Sequence, residues 1–323
     1  MPQLLKQKSL VIGVASSALF DLAQSDEIFR EQGVEAYEQY QDNHIDEPFK
    51  QGVAFPFISK LLEFNKLFSN PHEEGVEVIV MSRNSPKTGL RVMNSIEHYG
   101  LGITRAIFRS GMSTFDFINV FNMSLVLSGN EKDVNEAVEK GLPAGYVLDF
   151  DGYVDTTSNE LRVAFDFDGV LAGDSSERFY QQAKAKDPQT ALEQYSKYES
   201  GHADQPIEGG PLKALLEGIN TLQDASRASG MADKPELRVS LVTARDAPAH
   251  KRAIKTLEQW GLSVDDAFFL GGLDKAPVLN ELKPHIFFDD QIVNLDSSEL
   301  HIPAVHIPFG VRNATNSKED ANA

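Results

Sequence analysis

Short apolar runs alternate along this chain with longer stretches in which apolar positions recur every third or fourth residue. The first pattern predicts strands buried on both faces, and the second predicts amphipathic helices. Over the first part, strands are expected at 11–15, 76–81, 105–108, 124–127 and 145–148. Helices are expected at 26–40, 57–68, 86–99 and 132–139, with a Pro/Gly-punctuated loop at 47–56. Over the second part, the strands are 161–165, 237–242, 267–270, 285–288 and 304–307. Helical material at 176–198, 212–225 and 248–260 separates them, with a polar loop at 200–211. Strands alternating with helices predict an α/β protein, a largely parallel sheet covered on both faces. The polar tail, 313–323, is expected to be disordered.

The order of elements occurs twice. Ile96-Glu-His-Tyr-Gly-Leu101 matches Leu257-Glu-Gln-Trp-Gly-Leu262, and Ala106-Ile-Phe-Arg-Ser-Gly111 matches Ala267-Phe-Phe-Leu-Gly-Gly272, both at a separation of 161 positions. Ser25-Asp-Glu-Ile-Phe29 matches Ser175-Ser-Glu-Arg-Phe179 at 150, and Pro48 matches Pro206 at 158. A duplicated α/β unit is expected, with halves at 1–158 and 159–312; chance likeness between two ordinary βα units is the alternative.

Composition narrows the partners. A chain of 323 residues exceeds what one typical core supports, and 41% hydrophobic with 24% charged residues is ordinary globular usage. A net charge of -18 argues against a nucleic-acid backbone or an anionic membrane surface as partner. It leaves room for a small phosphorylated ligand, because a bound cation reverses the field locally. There are no cysteines, hence no disulfide framework. Residues 9–20, preceded by Lys6 and Lys8, have the outline of a short signal peptide, but the same pattern recurs within the repeat and reads better as a first buried strand. No apolar run is long enough to span a bilayer, and a cytoplasmic protein is the expectation. Oligomeric state is left open.

Candidate chemistry begins at Asp166 and Asp168, two carboxylates two positions apart at the end of the strand 161–165, followed by Gly169. Alternation along a strand sends both to one side, where they need a cation or a shared proton. A solvated turn that happens to contain two acids is the competing reading. Three further features end or follow strands of the second part: Thr243, Lys275 after a Gly-Gly turn, and Asp289-Asp290. Singly, Thr243 could merely cap the next helix, Lys275 could be a surface lysine, and Asp289-Asp290 could be a turn or N-cap pair. At the separation of 161, Ser82, Thr114 and Ser128-Gly129 face them in the first part. The counterpart of the acidic pair falls around 14–17, which contains no acid in any register. The reactive half is therefore the second.

Asp166-Phe-Asp-Gly-Val-Leu171, Thr243, Lys275 and Asp289-Asp290 resemble the four ordered motifs of the haloacid dehalogenase superfamily of phosphohydrolases. Further stretches, among them Glu31-Gln-Gly-Val-Glu35, Phe55-Pro-Phe57, Asn94-Ser-Ile-Glu-His-Tyr99 and Thr243-Ala-Arg-Asp-Ala-Pro-Ala-His250, are similar to the cytosolic 5'-nucleotidase type I family. One departure is the first motif, which reads Asp-Phe-Asp-Gly-Val-Leu here and Asp-Gly-Asp-Ala-Val-Leu in animal members. Both acids survive it, so only fine substrate preference is affected.

The resemblance implies a three-layer Rossmann-like haloacid dehalogenase fold with a helical cap insert near 173–234, preceded by a degenerate α/β half. It implies Mg²⁺-dependent hydrolysis of nucleoside 5'-monophosphates, AMP-like substrates favoured, through an aspartyl-phosphate. Asp166 would be the nucleophile and Asp168 the acid and base; Thr243, Ala244 and Lys275 would hold the phosphate. Asp166, the Asp168 carbonyl and one of Asp289 and Asp290 would ligate the metal. Phe179, Tyr180, Tyr195 and Tyr198 could stack on a base or form cap core, and Arg245 with Asp246 could reach substrate or pair at the surface. Alternatives are another small phosphate ester as substrate, or a nucleotide-binding regulatory protein.

Overall fold

Val, Ile and Leu dominate 10–15, 76–82 and 125–128, while 160–165 and 236–243 open with alternating charged and apolar residues and turn apolar toward their carboxyl ends; runs of this kind are covered on both faces. The computed structural model of the chain describes residues 10–70, 74–296 and 298–313. Its first part runs β1 (Leu10–Ala15), α1 (Ser16–Leu19), β2 (Phe20–Asp21), α2 (Ala23–Asn43), β3 (Lys50–Gln51), α3 (Phe55–Glu63), β4 (Val76–Ser82), α4 (Gly89–His98), β5 (Arg105–Phe108), β6 (Leu125–Ser128), α5 (Glu131–Glu139) and β7 (Ala144–Val147). The second runs β8 (Glu160–Phe165), α6 (Ser175–Lys186), α7 (Ala191–Gly201), α8 (Lys213–Ala228), β9 (Glu236–Thr243), α9 (His250–Trp260), β10 (Asp266–Phe269), α10 (Ala276–Leu282), β11 (Ile286–Asp289) and β12 (Ala304–His306).

Ten strands form one sheet in the order β10-β9-β8-β11-β12-β7-β6-β1-β4-β5. Read inward from each outer edge, and counting only this sheet's strands within each part, both halves run third, second, first, fourth, fifth. Among the described residues the pairings within this sheet are parallel except β12 with β7, the seam where the two runs meet. A side chain at Gly145 in that seam would collide with Val305, so the close approach requires glycine. The protein is thus α/β with a large, mostly parallel, Rossmann-like sheet.

The two parts share a core rather than touching at a surface. One apolar cluster contains Leu10, Ile12 and Val14 together with Leu161, Val163 and Phe165. α3 lies on β4 and on β8, while α8 lies on β9 and on β1, so each part lends a helix to the other's first strand. The apolar residues Leu215, Leu216, Ile219 and Leu222 recur at helical spacing on α8 and are all buried.

Several boundaries differ from the expected ones. The helical material expected at 176–198 divides into two helices, α6 and α7, because Pro188 has no N–H to donate and disfavours helix at Asp187. Of the insert at 173–234, α6 and α7 pack on one another, whereas α8 belongs to the layer on the sheet. The expected loop at 47–56 contains β3 and the start of α3, and the helix expected to reach Phe68 tightens into a 3-10 turn from Phe64 to Leu67. α2 is kinked at Gly33, whose φ of 84 is a left-handed conformation that glycine accepts without penalty. α10 has 7 residues, about two turns, which is too short to show a helical period, and it is absent from the expected elements. The polar tail lies, from 314 onward, outside the described residues, as do Lys6 and Lys8. Among the described residues no helix is long and apolar enough to cross a membrane.

Candidate active site

β8 is flanked by β9 and β11, so its carboxyl end sits centrally in the second half of the sheet, where open α/β sheets place ligands. Asp166 follows directly, and its N–H donates to the Phe288 carbonyl at 2.8 Å, extending the ladder by one rung. The chain then turns through Gly169, with φ of 77. A Cβ there would stand 2.6 Å from the Asp290 carboxylate, so only glycine lets that acid approach.

Lys275, just before α10, directs its ammonium between two of these acids: Nζ lies 2.9 Å from Asp166 Oδ1 and 2.6 Å from Asp289 Oδ2. All three side chains are buried. Asp289 is otherwise well supplied, accepting from the Gln291 N–H at 2.8 Å and from Asn294 Nδ2 at 3.1 Å. Asp290 is not: its Oδ1 is buried with no hydrogen-bond partner among the described residues. Burial, then repulsion from Asp166 and Asp289, pushes its carboxyl up to about 9. Asp166 is pushed up to about 7 by burial, against the pull of Lys275. Burial works against the charge on Lys275, but Asp166 and Asp289 outweigh it and raise its pKa above the ordinary lysine value.

Asp166, Asp289 and Asp290 bring one oxygen each within 4.8 Å of one another, an arrangement that could hold a metal ion. The donor set is all hard oxygen, and one buried oxygen has no partner, which is what a small divalent cation would satisfy. The Asp168 carboxylate is not in this cluster.

Thr243 ends β9, buried, with Oγ1 accepting from the Arg245 N–H at 3.3 Å. Ala244 is exposed on the loop that follows, its carbonyl taking the Gly272 N–H at 3.0 Å. Arg245 is neither a surface group paired with Asp246 nor free to meet a substrate: its side chain is 2% exposed and all five of its N–H groups are engaged by the protein. Phe179 stacks on Tyr198 at 4.0 Å between centroids, which ties α6 to α7. Tyr195 meets Tyr180 edge-on at 5.9 Å, and its phenol is pushed up by burial and by the charge on Asp168.

Sequence reasoning missed Ser176 and Glu199, which bind Arg245, and Arg252, which binds Glu199 in turn. A signal was present: Tyr198-Glu-Ser-Gly-His202 repeats Tyr40-Gln-Asp-Asn-His44 at the separation of 158. Arg312 was missed as well; it reaches Glu177 at 2.5 Å and also Gln291, joining α6 to the loop after β11.

Fold and site together define an α/β protein whose sheet carries a buried acid–lysine cluster at its strand ends. The chain belongs to the 5'-nucleotidase family: a family model described as 5'-nucleotidase matches residues 1–314. It is 32% identical over 299 residues, 91% of its own length, to cytosolic 5'-nucleotidase 1B of Homo sapiens. The chain spans about half, 48%, of that relative's length. No solved structure matches it significantly.

Proposed function

We propose that this chain is a Mg²⁺-dependent phosphoric monoester hydrolase acting on nucleoside 5'-monophosphates, AMP-like ones included, in the cytoplasm. The observation that carries the reading is the buried cluster of Asp166, Asp289, Asp290 and Lys275 at the carboxyl ends of β8 and β11, in a chain of the 5'-nucleotidase family. The order of its motifs, like that of the haloacid dehalogenase phosphohydrolases, supports the same chemistry.

Asp166, Asp289 and Asp290 would hold the metal, with the Asp168 carbonyl, and the ion would neutralise phosphate charge that the acids would otherwise repel. Asp166 is the nucleophile: its carboxylate attacks phosphorus, the bond to the ribose 5'-oxygen breaks, and an aspartyl-phosphate forms. Asp168, 21% exposed in its side chain and so open to the cleft, gives the departing oxygen its proton and later takes one from the attacking water. Lys275 and Thr243, with the backbone at Ala244, hold phosphoryl oxygens. Residues 1–158 are read as a scaffold copy: with the sequence matches at a separation of 161, the pairing of β1 with β4 and of β8 with β9 supports Ala15 and Ser17 as the counterparts of Asp166 and Asp168.

Phosphate release measured over a panel of nucleoside and sugar monophosphates, with and without Mg²⁺, tests this. Turnover of nucleotides that vanishes with chelator is expected; metal-independent turnover, or preference for a sugar phosphate, would overturn it. A pH effect follows as well. Folding raises the pKa of Asp166 to about 7 and of Asp290 to about 9 from 3.8, so both bind protons more tightly folded than unfolded. The stability this contributes is complete below 3.8 and is lost as pH rises through 7 and 9. Metal-free protein should therefore show a Tm that falls over this range more steeply than that of Asp290→Asn. Mg²⁺ at about tenfold excess over its Kd should return about 1.4 kcal/mol. Equal slopes for the two proteins would contradict the assignment.

A further inference from the structure

Both carboxylate oxygens of Asp168 are held by one guanidinium. Arg245 Nε lies 2.6 Å from Oδ2, and Nη2 lies 2.7 Å from Oδ1. The rest of Arg245 is gripped in turn: Nη1 donates to Glu199 Oε2 at 2.6 Å and to the Ala249 carbonyl at 3.2 Å, and Nη2 donates to Ser176 Oγ at 2.8 Å. Glu199, with 0% of its side chain exposed, accepts from Ser176 Oγ at 2.8 Å and from Arg252 Nη1 at 3.0 Å. A buried chain of alternating charge, Arg252–Glu199–Arg245–Asp168, thus runs from α9 through α7 to the acid.

The first half supplies a comparison within the same molecule. Arg91 donates from Nε to the Glu47 carbonyl at 2.8 Å and from Nη1 to Gln41 Oε1 at 3.1 Å. Arg252 does the same toward the Gln205 carbonyl at 2.9 Å and Glu199 at 3.0 Å. Arg91 lies over Tyr40 and Arg252 over Tyr198, at 5.6 and 5.5 Å. Tyr40 packs on His44 at 4.1 Å, and Tyr198 on His202 at 4.2 Å. Even the support of the following turn recurs, Ser95 Oγ taking the Phe49 N–H and Thr256 Oγ1 the Ile207 N–H. This frame stands in both halves. What differs is the charge: Ser17 replaces Asp168, Asn84 replaces Arg245, and Gln41 replaces Glu199. The frame does not need the Arg–Glu pair, because it forms without it. The pair is present only where the acid is present.

We propose that Arg245, fixed by Glu199 and Ser176, is a positioning residue for Asp168: it holds the carboxylate toward the departing oxygen and makes its placement depend on the seating of α6 and α7. This rests on the reading of Asp168 as the group that protonates the leaving group. A bidentate guanidinium fixes a carboxylate in plane and direction as a point charge does not, so lysine is a poor substitute.

The test compares kcat/KM for a nucleoside 5'-monophosphate with that for its 5'-thio analogue, in which sulfur bridges to phosphorus. A thiol gives up its proton roughly six or seven pKa units more readily than an alcohol, so the sulfur departs without protonation. R245K should lower kcat/KM for the oxygen substrate about 100-fold and that for the sulfur substrate less than about 3-fold. S176A, which keeps both charges and removes one small hydroxyl, should show the same selectivity at about 5-fold, and carries the comparison if R245K does not fold. D168N is the control. If it shows the selective loss while S176A and R245K depress both substrates equally or neither, the positioning role is wrong. If D168N itself shows no selectivity, the reading of Asp168 fails, and the positioning role with it.

Discussion

Asp166→Asn is expected to lower kcat by at least about 10³-fold while leaving the protein folded. The amide has nearly the shape of the carboxylate but cannot attack phosphorus, so the first displacement has no nucleophile. Its effect on stability should run the other way. Asp166 shares a buried site with Asp289, Asp290 and the single ammonium of Lys275, and the pKa of Asp166 and that of Asp290 are pushed up there. Removing one acid leaves Lys275 paired with Asp289 at 2.6 Å and relieves repulsion on Asp290, so metal-free Tm should hold or rise at neutral pH. The rise in Tm that Mg²⁺ gives the native protein should be lost. Rates from the substrate panel and thermal melts with and without metal check both halves of this. Retained hydrolysis, or a Mg²⁺ effect as large as in the native protein, would refute the role given to Asp166.

The second large effect is expected from the half that lacks counterparts of the clustered acids. Phe57 of α3 is fully buried and meets the ring of Phe288 edge-on, with centroids 6.4 Å apart and an interplanar angle of 79°. Phe288 stacks in turn on Phe165, at 5.2 Å and 15°. Phe165 immediately precedes Asp166, and Phe288 immediately precedes Asp289. The first half therefore supports the backbone from which two of the acids project. Phe57→Ala should cost about 3–5 kcal/mol through the cavity it opens, lower Tm by about 10 °C, and reduce kcat as the acids lose their spacing. Calorimetry and kinetics on the variant check this. Deleting 1–158 should go further, leaving an insoluble or molten fragment, since β12 loses its pairing with β7 and α8 loses β1. A soluble, fully active fragment of 159–323 would sink the scaffold role.

The parts of this site that could be read along the chain are those a strand carries locally. Asp166 was legible because a buried apolar run ends on it and alternation fixes its side; Thr243 and Asp289 end runs of the same kind. The repeated order of elements was legible from ungapped matches, and the pairing of β1 with β4 and of β8 with β9 is compatible with Ala15 and Ser17 as the positions opposite Asp166 and Asp168. For Arg245 the chain alone leaves substrate contact and a surface pair with Asp246 equally natural. Its actual partners, Asp168, Ser176 and Glu199, lie 77, 69 and 46 positions away.

Periodicity, turn residues and the spacing of acids are properties of short segments, and they sufficed for the α/β class, most of the strands and the acids at their ends. The joining of ten strands across an antiparallel seam, the exchange of α3 and α8 between halves, and the charged chain from Arg252 to Asp168 depend on which distant surfaces pack together. Those contacts are selected by shape and by the need to pair every buried charge, conditions that exist only once the chain has closed on itself.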